Sequence, residues 1–295
     1  MILVTGASGK LGKEISRQLT QGKRDFRCLV RKSSKVKELE EMGANLSYGD
    51  VTDRESLRRA MQGVKHVIST HCLGMPKKGI TCWDVDYQGN LDLIELLKEN
   101  GGGKFVYISA LGAALHSPFQ LYKVKQLVED ALTISGLDYT TFSPSGFFND
   151  FTMSAKIVQK YHLFPTMGWG NHRVQGIHVG DLAYCIIDSL DNSRASNQTF
   201  SIGGPEVLTY KQIAATFSKV LGHKVRIFPI PMGFLKFVGW IVDTFTSYRY
   251  EIQGFADAFS SESVCDNEPL LKTFDIKLKT FEEYLREFFA EKKIH

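Results

Sequence analysis

No two cysteines in this chain stand in a C-x-x-C pair, and that absence removes zinc ribbons and dithiol redox motifs together. The five present, Cys28, Cys72, Cys82, Cys185 and Cys265, are odd in number and far apart, so neither a disulfide framework nor a metal site is expected. Reduced thiols point to a cytosol-like compartment, and a cytoplasmic location is expected. Long apolar runs are missing as well. The most apolar stretch, Ile227 to Val242, is interrupted by Pro229, Pro231 and Lys236 and is too short to cross a bilayer, so no membrane span is expected. Nor is there a large excess of one charge: the net charge is +4 and the pI about 8.6. No run of Lys and Arg is interleaved with aromatic residues, which argues against a nucleic-acid partner. The first strand is expected at Ile2, leaving no signal peptide, and a transit peptide already removed would leave no trace. Internal repeats and low-complexity segments are lacking too.

What remains is an ordinary globular composition, 43% hydrophobic and 23% charged, in 295 residues. Short apolar runs alternate with helical periods over the first two-thirds of the chain, the pattern of a parallel sheet covered by helices on both faces. Strands are expected at Ile2–Thr5, Phe26–Val30, Leu46–Tyr48, His66–Ser69, Lys104–Ser109 and Tyr139–Ser143. Helices are expected at Lys10–Gln21, Ser34–Met42, Arg54–Met61, Val85–Glu99 and Gln120–Ile134. The expected organisation is a dinucleotide-binding Rossmann domain over 1–150. A mixed segment over 151–295 returns to it and forms a small C-terminal lobe. In that segment Asp181–Leu190 and Thr209–Leu221 read as helices, the second with Thr209 as N-cap and Gly222 as C-cap. Thr199–Ile202 reads as a strand. Phe234, Leu235, Val238, Ile241, Val242 and Phe245 fall on one helical face, and Thr280–Phe289 closes the chain as a helix.

The chemistry sits first in the turn after the first strand, Thr5-Gly6-Ala7-Ser8-Gly9-Lys10-Leu11-Gly12. Gly6 suits the tight turn, Gly9 leaves room for a pyrophosphate, and Gly12 lets the helix lie close to the strand. Free N–H groups and the dipole at the helix start then face the anion. Ser8, Lys10 and Leu11 fall within the same turn. At the end of the second strand an acidic residue would read a ribose 2′-hydroxyl, whereas Arg suits a 2′-phosphate. Here the sequence is Leu29-Val30-Arg31-Lys32-Ser33-Ser34-Lys35, without a carboxylate. Arg31 and Lys32 therefore predict NADP(H) in preference to NAD(H).

The motifs TGASGKLG (Thr5–Gly12), GDVTDRESL (Gly49–Leu57), VDYQGNLDLIE (Val85–Glu95), KFVYISALGA (Lys104–Ala113), KQLVE (Lys125–Glu129), SGLDYTTFSPSGFF (Ser135–Phe148), IHVGDLA (Ile177–Ala183) and GGPEVLTYKQIA (Gly203–Ala214) run from end to end. Together they resemble the atypical branch of the short-chain dehydrogenase/reductases, the NmrA-like and NAD(P)H-binding group. The resemblance implies a doubly wound parallel sheet of about seven strands with a substrate lobe over the nicotinamide end. It implies that Asp50 and Val51 border the adenine, a turn-capping role for Asp50 being equally open. Ser69 and Thr70 follow the fourth strand near the cofactor, ordinary strand-end polarity being the slightly favoured reading, and Ser109, Pro144, Ser145 and Phe147 belong to the motifs that flank it.

Catalytic members of that superfamily carry a Tyr acid four residues before a Lys that holds the nicotinamide ribose. Lys125 matches the Lys. Leu121 stands where the Tyr would be, and Tyr122 is rotated from that position by about 100° on the helix. Ala110 occupies the place of the usual Ser, with Ser109 before it. Lys125 is thus the candidate for orienting the cofactor and Tyr122 a weaker catalytic candidate, with packing as its other reading. His116 and His178 read as a surface and a core histidine. The expected function is an NADP(H)-dependent oxidoreductase on an unidentified small molecule, such as an activated alkene or a quinone. The alternative is a non-catalytic NADP(H)-binding redox sensor or complex-assembly protein. A monomer or homodimer is compatible with either.

Overall fold

The computed structural model describes residues 1–73, 79–117, 119–231, 233 and 262–293. The apolar helical stripe expected from Phe234 to Phe245 lies outside the described residues.

Seven strands form one parallel sheet: β1 (Ile2–Thr5), β2 (Phe26–Val30), β3 (Asn45–Tyr48), β4 (His66–Ser69), β5 (Lys104–Ile108), β6 (Asp138–Pro144) and β9 (Gln198–Ile202). Their spatial order is β3-β2-β1-β4-β5-β6-β9. Val4 pairs with Cys28 on one side and Ile68 on the other, so β1 lies at the centre and is buried at every residue. Strands covered on both faces read as unbroken apolar runs, which is why ILVT and KFVYI were legible.

One face carries α1 (Lys10–Gln21), α8 (Val179–Asp188) and α10 (Glu268–Thr273), packed through Ile15, Leu19, Leu182, Ile186, Leu270 and Phe274. The other carries α3 (Arg54–Ala60), α4 (Gly89–Glu99) and α5 (Gln120–Ile134), through Leu57, Leu93, Leu97, Val128 and Leu132. The strand order reverses between β1 and β4, which opens a crevice at the carboxyl ends of the strands. The helix expected from Val85 begins earlier, with a π-helical turn at Trp83–Gln88 that runs into α4. The helix expected from Ser34 to Met42 is a shorter α2 (Lys37–Glu41), because Ser34 turns back to Arg31 instead.

The segment after β6 is more regular than its sequence suggests. It contains α6 (Phe148–Phe151), a 3₁₀ turn (Thr152–Ser154), α7 (Ala155–Tyr161) and β7 (Leu163–Met167). β7 pairs in parallel with β11 (Arg226–Ile230), more than fifty positions away, so no local hairpin signal marks either strand. Pro165 sits in β7 of this two-stranded sheet, where a missing donor is tolerated at an edge. β8 (Arg173–Val174) pairs antiparallel with β10 (Leu208–Thr209). α9 (Tyr210–Leu221) starts as expected: Thr209 caps Gln212 N–H, and Gly222 ends the helix at φ 74°. With α11 (Phe281–Lys293) it closes a third apolar cluster containing Phe148, Phe164, Phe217, Phe281 and Leu285.

A polar knot ties the 262–267 segment to the sheet edge. Gln175 donates to Gly204 O at 2.9 Å and accepts from Cys265 N at 2.9 Å, while Asn267 joins Gly203 and Gly204 on both sides. Ser145 donates to Gln175 O, and Ser263 donates to Ser145 O at 2.6 Å. The knot fixes the floor of the cavity described next.

Candidate functional site

Two adjoining cavities occupy the carboxyl edge of the sheet and share Gly6, Gly9, Thr70 and Cys72. The glycine turn is the ridge between them. Gly6 holds φ 69°, and a Cβ there would lie 2.6 Å from Thr70 Oγ1 and 2.7 Å from His71 N. A Cβ on Gly12 would come within 2.6 Å of Ala7 Cα, so only glycine lets α1 descend this close to β1. Gly9 differs: its φ is −76°, ordinary extended backbone, and an added Cβ would meet only Gly6 O, at 3.2 Å. The space above Gly9 is therefore free for a ligand. Gly9 is the N-cap of α1, no side chain caps the helix, and its first turn contains no acidic residue. Uncapped N–H groups at the start of a twelve-residue helix, beside Lys10, suit a pyrophosphate.

The cavity on the β2 side, about 320 Å³, is lined by Ser8, Arg31, Ser34, Asp50, Val51 and Thr52 among others. Arg31 N–H donates to Ser34 Oγ at 3.2 Å, and Ser8 Oγ lies 3.5 Å from the same hydroxyl. Ser34 had no signal beyond being a hydroxyl in a basic loop. Asp50 does both things open to it: Oδ1 accepts from Thr52 N and Oγ1, an Asx turn, and the residue also lines the cavity. Lys32 is exposed and outside this lining. Ser69 is outside it too, since it is buried and spends its hydroxyl on Asn90 Oδ1 at 2.6 Å. Thr70 faces both cavities instead, its hydroxyl donating to Thr5 O.

The second cavity, about 550 Å³, lies over the ends of β5 and β6 and takes in Lys10, Leu11, Gly12, Ser109, Ala110, Tyr122, Lys125, Pro144, Ser145 and Phe147. Lys125 is buried, and its Nζ donates to Ile108 O at 2.9 Å, 5.4 Å from the Tyr107 ring centroid. Burial alone would push this ammonium toward neutrality. Coupling to Tyr107 and Cys72 and the carboxylates of Asp86 and Glu129 opposes that, and the net direction is upward from the usual lysine value. Tyr107 is pushed up by its own burial. Ser109 sits beside Glu129, whose carboxyl burial pushes up.

Tyr122 lines the cavity and packs on Phe119, with ring centroids 5.0 Å apart. Burial raises its phenol, and Lys125 offsets part of the shift. His116 is exposed and lies outside the cavity lining. His178 stands at the N-cap position of α8 without capping it, meets Asp181 at 3.2 Å and packs on Tyr284 with ring centroids 5.6 Å apart, a structural position.

Asn149, Asp150, Phe151, Tyr210 and Ser263 also line this cavity, and none was legible as a site residue. They come from three separated segments, which only the packing of α6, α9 and the 262–267 segment brings together. Asp150 is open to the cavity but ringed by protein, so its carboxyl is pushed up by burial; hydrogen bonding to Phe147 N and the charge of Lys10 offset part of this. Among the described residues no cluster of three His, Cys, Asp or Glu could hold a metal, and no helix is long and apolar enough to cross a membrane.

The pattern of the NmrA-like family matches residues 1–285. The photosystem II assembly factor Ycf39 of Cyanophora paradoxa is 27% identical over 300 residues, covering 98% of this chain and 92% of that protein. An NAD(P)H azoreductase of Xenophilus azovorans is 29% identical over 232 residues, covering 79% of this chain and 78% of that one. In structure, the NADPH-dependent quinone oxidoreductase of Escherichia coli in complex with NADPH superposes with a TM-score of 0.77 at 20% identity, covering 98% of this chain and all of that one.

Proposed function

The chain belongs to the NmrA-like family, and on that premise we propose that it is an NADP(H)-dependent oxidoreductase whose cofactor lies across both cavities. The observation that carries the reading is the continuous groove from Arg31, over the uncapped start of α1 and Gly9, to the buried Lys125. Arg31 and Ser34 would take the 2′-phosphate, Asp50 and Val51 the adenine edge, and the α1 N–H groups the pyrophosphate. Lys125 would donate to the nicotinamide ribose, held at its height by Ile108 O. Bound NADPH supplies the hydride. The chain orients the acceptor between Phe147, Phe151 and Tyr210 and keeps water from the reacting face. Leu121 leaves the usual acid position empty, so the acceptor is one that needs no positioned proton donor, an activated alkene, a quinone or another electron-poor π-system.

The empty acid position also favours a second reading, a dinucleotide-binding assembly or sensor protein, as the name of the Ycf39 relatives suggests. NADPH consumption against a panel of such acceptors separates the two. Turnover supports the oxidoreductase. Tight NADPH binding without turnover on any acceptor supports the second reading.

A further inference from the structure

We infer that the far end of the second cavity is built for a conjugated ring system that carries a positive charge; as a substrate assignment this rests on the oxidoreductase reading, as a binding assignment it does not. Its walls are aromatic. Tyr122, Phe147, Phe151 and Tyr210 are among the residues that line the cavity, and Phe151 meets Tyr210 edge to face at 6.1 Å and 89°. Aromatic faces attract cations and stack on planar rings.

One of its polar side chains carries negative charge. Asp150 is the one carboxylate among the described residues that line the cavity. Its Oδ2 accepts from Phe147 N at 3.2 Å, and the residue is exposed in the cavity lining.

The positive groups nearby have other work. Lys10 faces Asp150 from the start of α1, where the dinucleotide phosphates would take up its charge. Lys125 donates to Ile108 O, and Tyr210, facing Asp150 from α9, has its phenol pushed up by burial and by that carboxylate, so it stays neutral.

The chemistry agrees with the empty acid position at Leu121. A cationic acceptor gains the hydride with its electron pair and one C–H bond forms. The displaced π electrons settle on the charged atom, and the product is neutral. The acceptor is reduced by two electrons, the dinucleotide is oxidised by two, and no proton is transferred. A neutral ketone reduced in the same place would need an acid that the helix does not aim.

Acid should weaken this site. Burial raises the Asp150 carboxyl, so its charge, and with it the preference for a cation, is lost as the pH falls toward that raised value.

The test is equilibrium binding of N-methylacridinium and neutral acridine, probes of nearly equal shape, by fluorescence quenching at mildly alkaline pH with saturating NADP⁺, so that nothing turns over. The wild type is expected to hold the cation on the order of tenfold more tightly, the scale of one charge-assisted contact. Asp150→Asn is expected to erase that preference while keeping its affinity for NADP⁺, which also reports folding. Phe151→Leu should weaken the cation more than the neutral ring. Equal affinities in the wild type, or a preference that survives Asp150→Asn, overturn the inference. Replacing NADP⁺ by NADPH then separates the two claims: a cation bound with preference and left unreduced overturns the oxidoreductase reading and upholds this one.

Discussion

Lys125 Nζ donates to the backbone carbonyl of Ile108 at 2.9 Å, so the one buried ammonium of α5 is tied to the last residue of β5. That bond decides where the ammonium points, whether or not an acid stands beside it. Lys125→Ala should weaken NADPH binding on the order of ten- to a hundredfold, the range for a hydrogen bond from a charged group. Calorimetric titration checks this. Unchanged affinity would show that the ammonium is purely structural.

The three glycines of the turn should fail in different ways. Gly9 has an ordinary φ of −76° and open space above it, so Gly9→Val should keep the fold and lose the dinucleotide. The positive φ of this turn is carried by Gly6, at 69°. Gly12→Val should unfold the domain, since even a Cβ would press on Ala7 Cα at 2.6 Å. Circular dichroism beside NADPH-induced melting shifts distinguishes the two. A normal shift for Gly9→Val would mean that the phosphates lie elsewhere.

Arg31 lines the β2-side cavity and Lys32 does not, so one Arg and not the basic pair should set the preference for a 2′-phosphate. Arg31→Ala is expected to lose about 1.5–3 kcal/mol of NADPH affinity and little NADH affinity. Lys32→Ala should leave both nearly unchanged. Competitive binding of the two dinucleotides measures this, and equal affinities in the wild type would sink it.

Much of this was legible because it is local. β1, α1, β2, β4 and α5 fall where periodicity places them, and the glycine turn, Arg31 and Lys125 announce themselves by their place after a strand or along a helix. The substrate end was not legible. Asn149, Asp150 and Ser263 lie where no strand or helix was expected, and Tyr210 lies at the start of the helix expected over Thr209–Leu221. Their meeting depends on the β7–β11 pairing and the Gln175–Asn267 knot, contacts that span up to 118 positions. Ser69 shows the ordinary polarity of a strand end, its hydroxyl occupied by Asn90.

Stability should fall on mild acidification, well above the range of carboxylates. His71 is buried, with Nε2 donating to Val85 O at 3.0 Å and Nδ1 accepting from the Thr5 hydroxyl at 2.8 Å, so both nitrogens are used in the neutral form. Burial lowers its pKa, and burial likewise lowers that of His66. Their unfolded values lie near 6.5, so below that pH the unfolded chain binds protons that the folded chain refuses. Stability is therefore full above about 6.5 and declines as the pH falls toward the folded values, by at most about 1.4 kcal/mol per pH unit for each histidine. Denaturant midpoints across this window check the slope, and His71→Asn should remove its share. A flat profile down to the carboxylate range would refute the neutral assignment.

Tyr122 is the residue most easily mistaken for the acid. It stands three places before Lys125, lines the same cavity and has its phenol raised by burial. Its ring, however, rests on Phe119 at 5.0 Å, and a Cβ at Gly112 would be only 3.4 Å from its Cε2. Those neighbours hold the ring as part of the wall, one helical step away from the place an acid would take. If the protein reduces an acceptor, Tyr122→Phe should therefore change kcat within about threefold, because loss of a true general acid costs roughly 10²–10⁴. KM is free to move, since the hydroxyl borders the acceptor. Steady-state NADPH oxidation by the variant beside the wild type, over a range of pH, is the measurement. A hundredfold fall in kcat, with the alkaline limb of the profile removed, would restore Tyr122 as the proton donor. It would also remove the reason for expecting an acceptor that needs no proton.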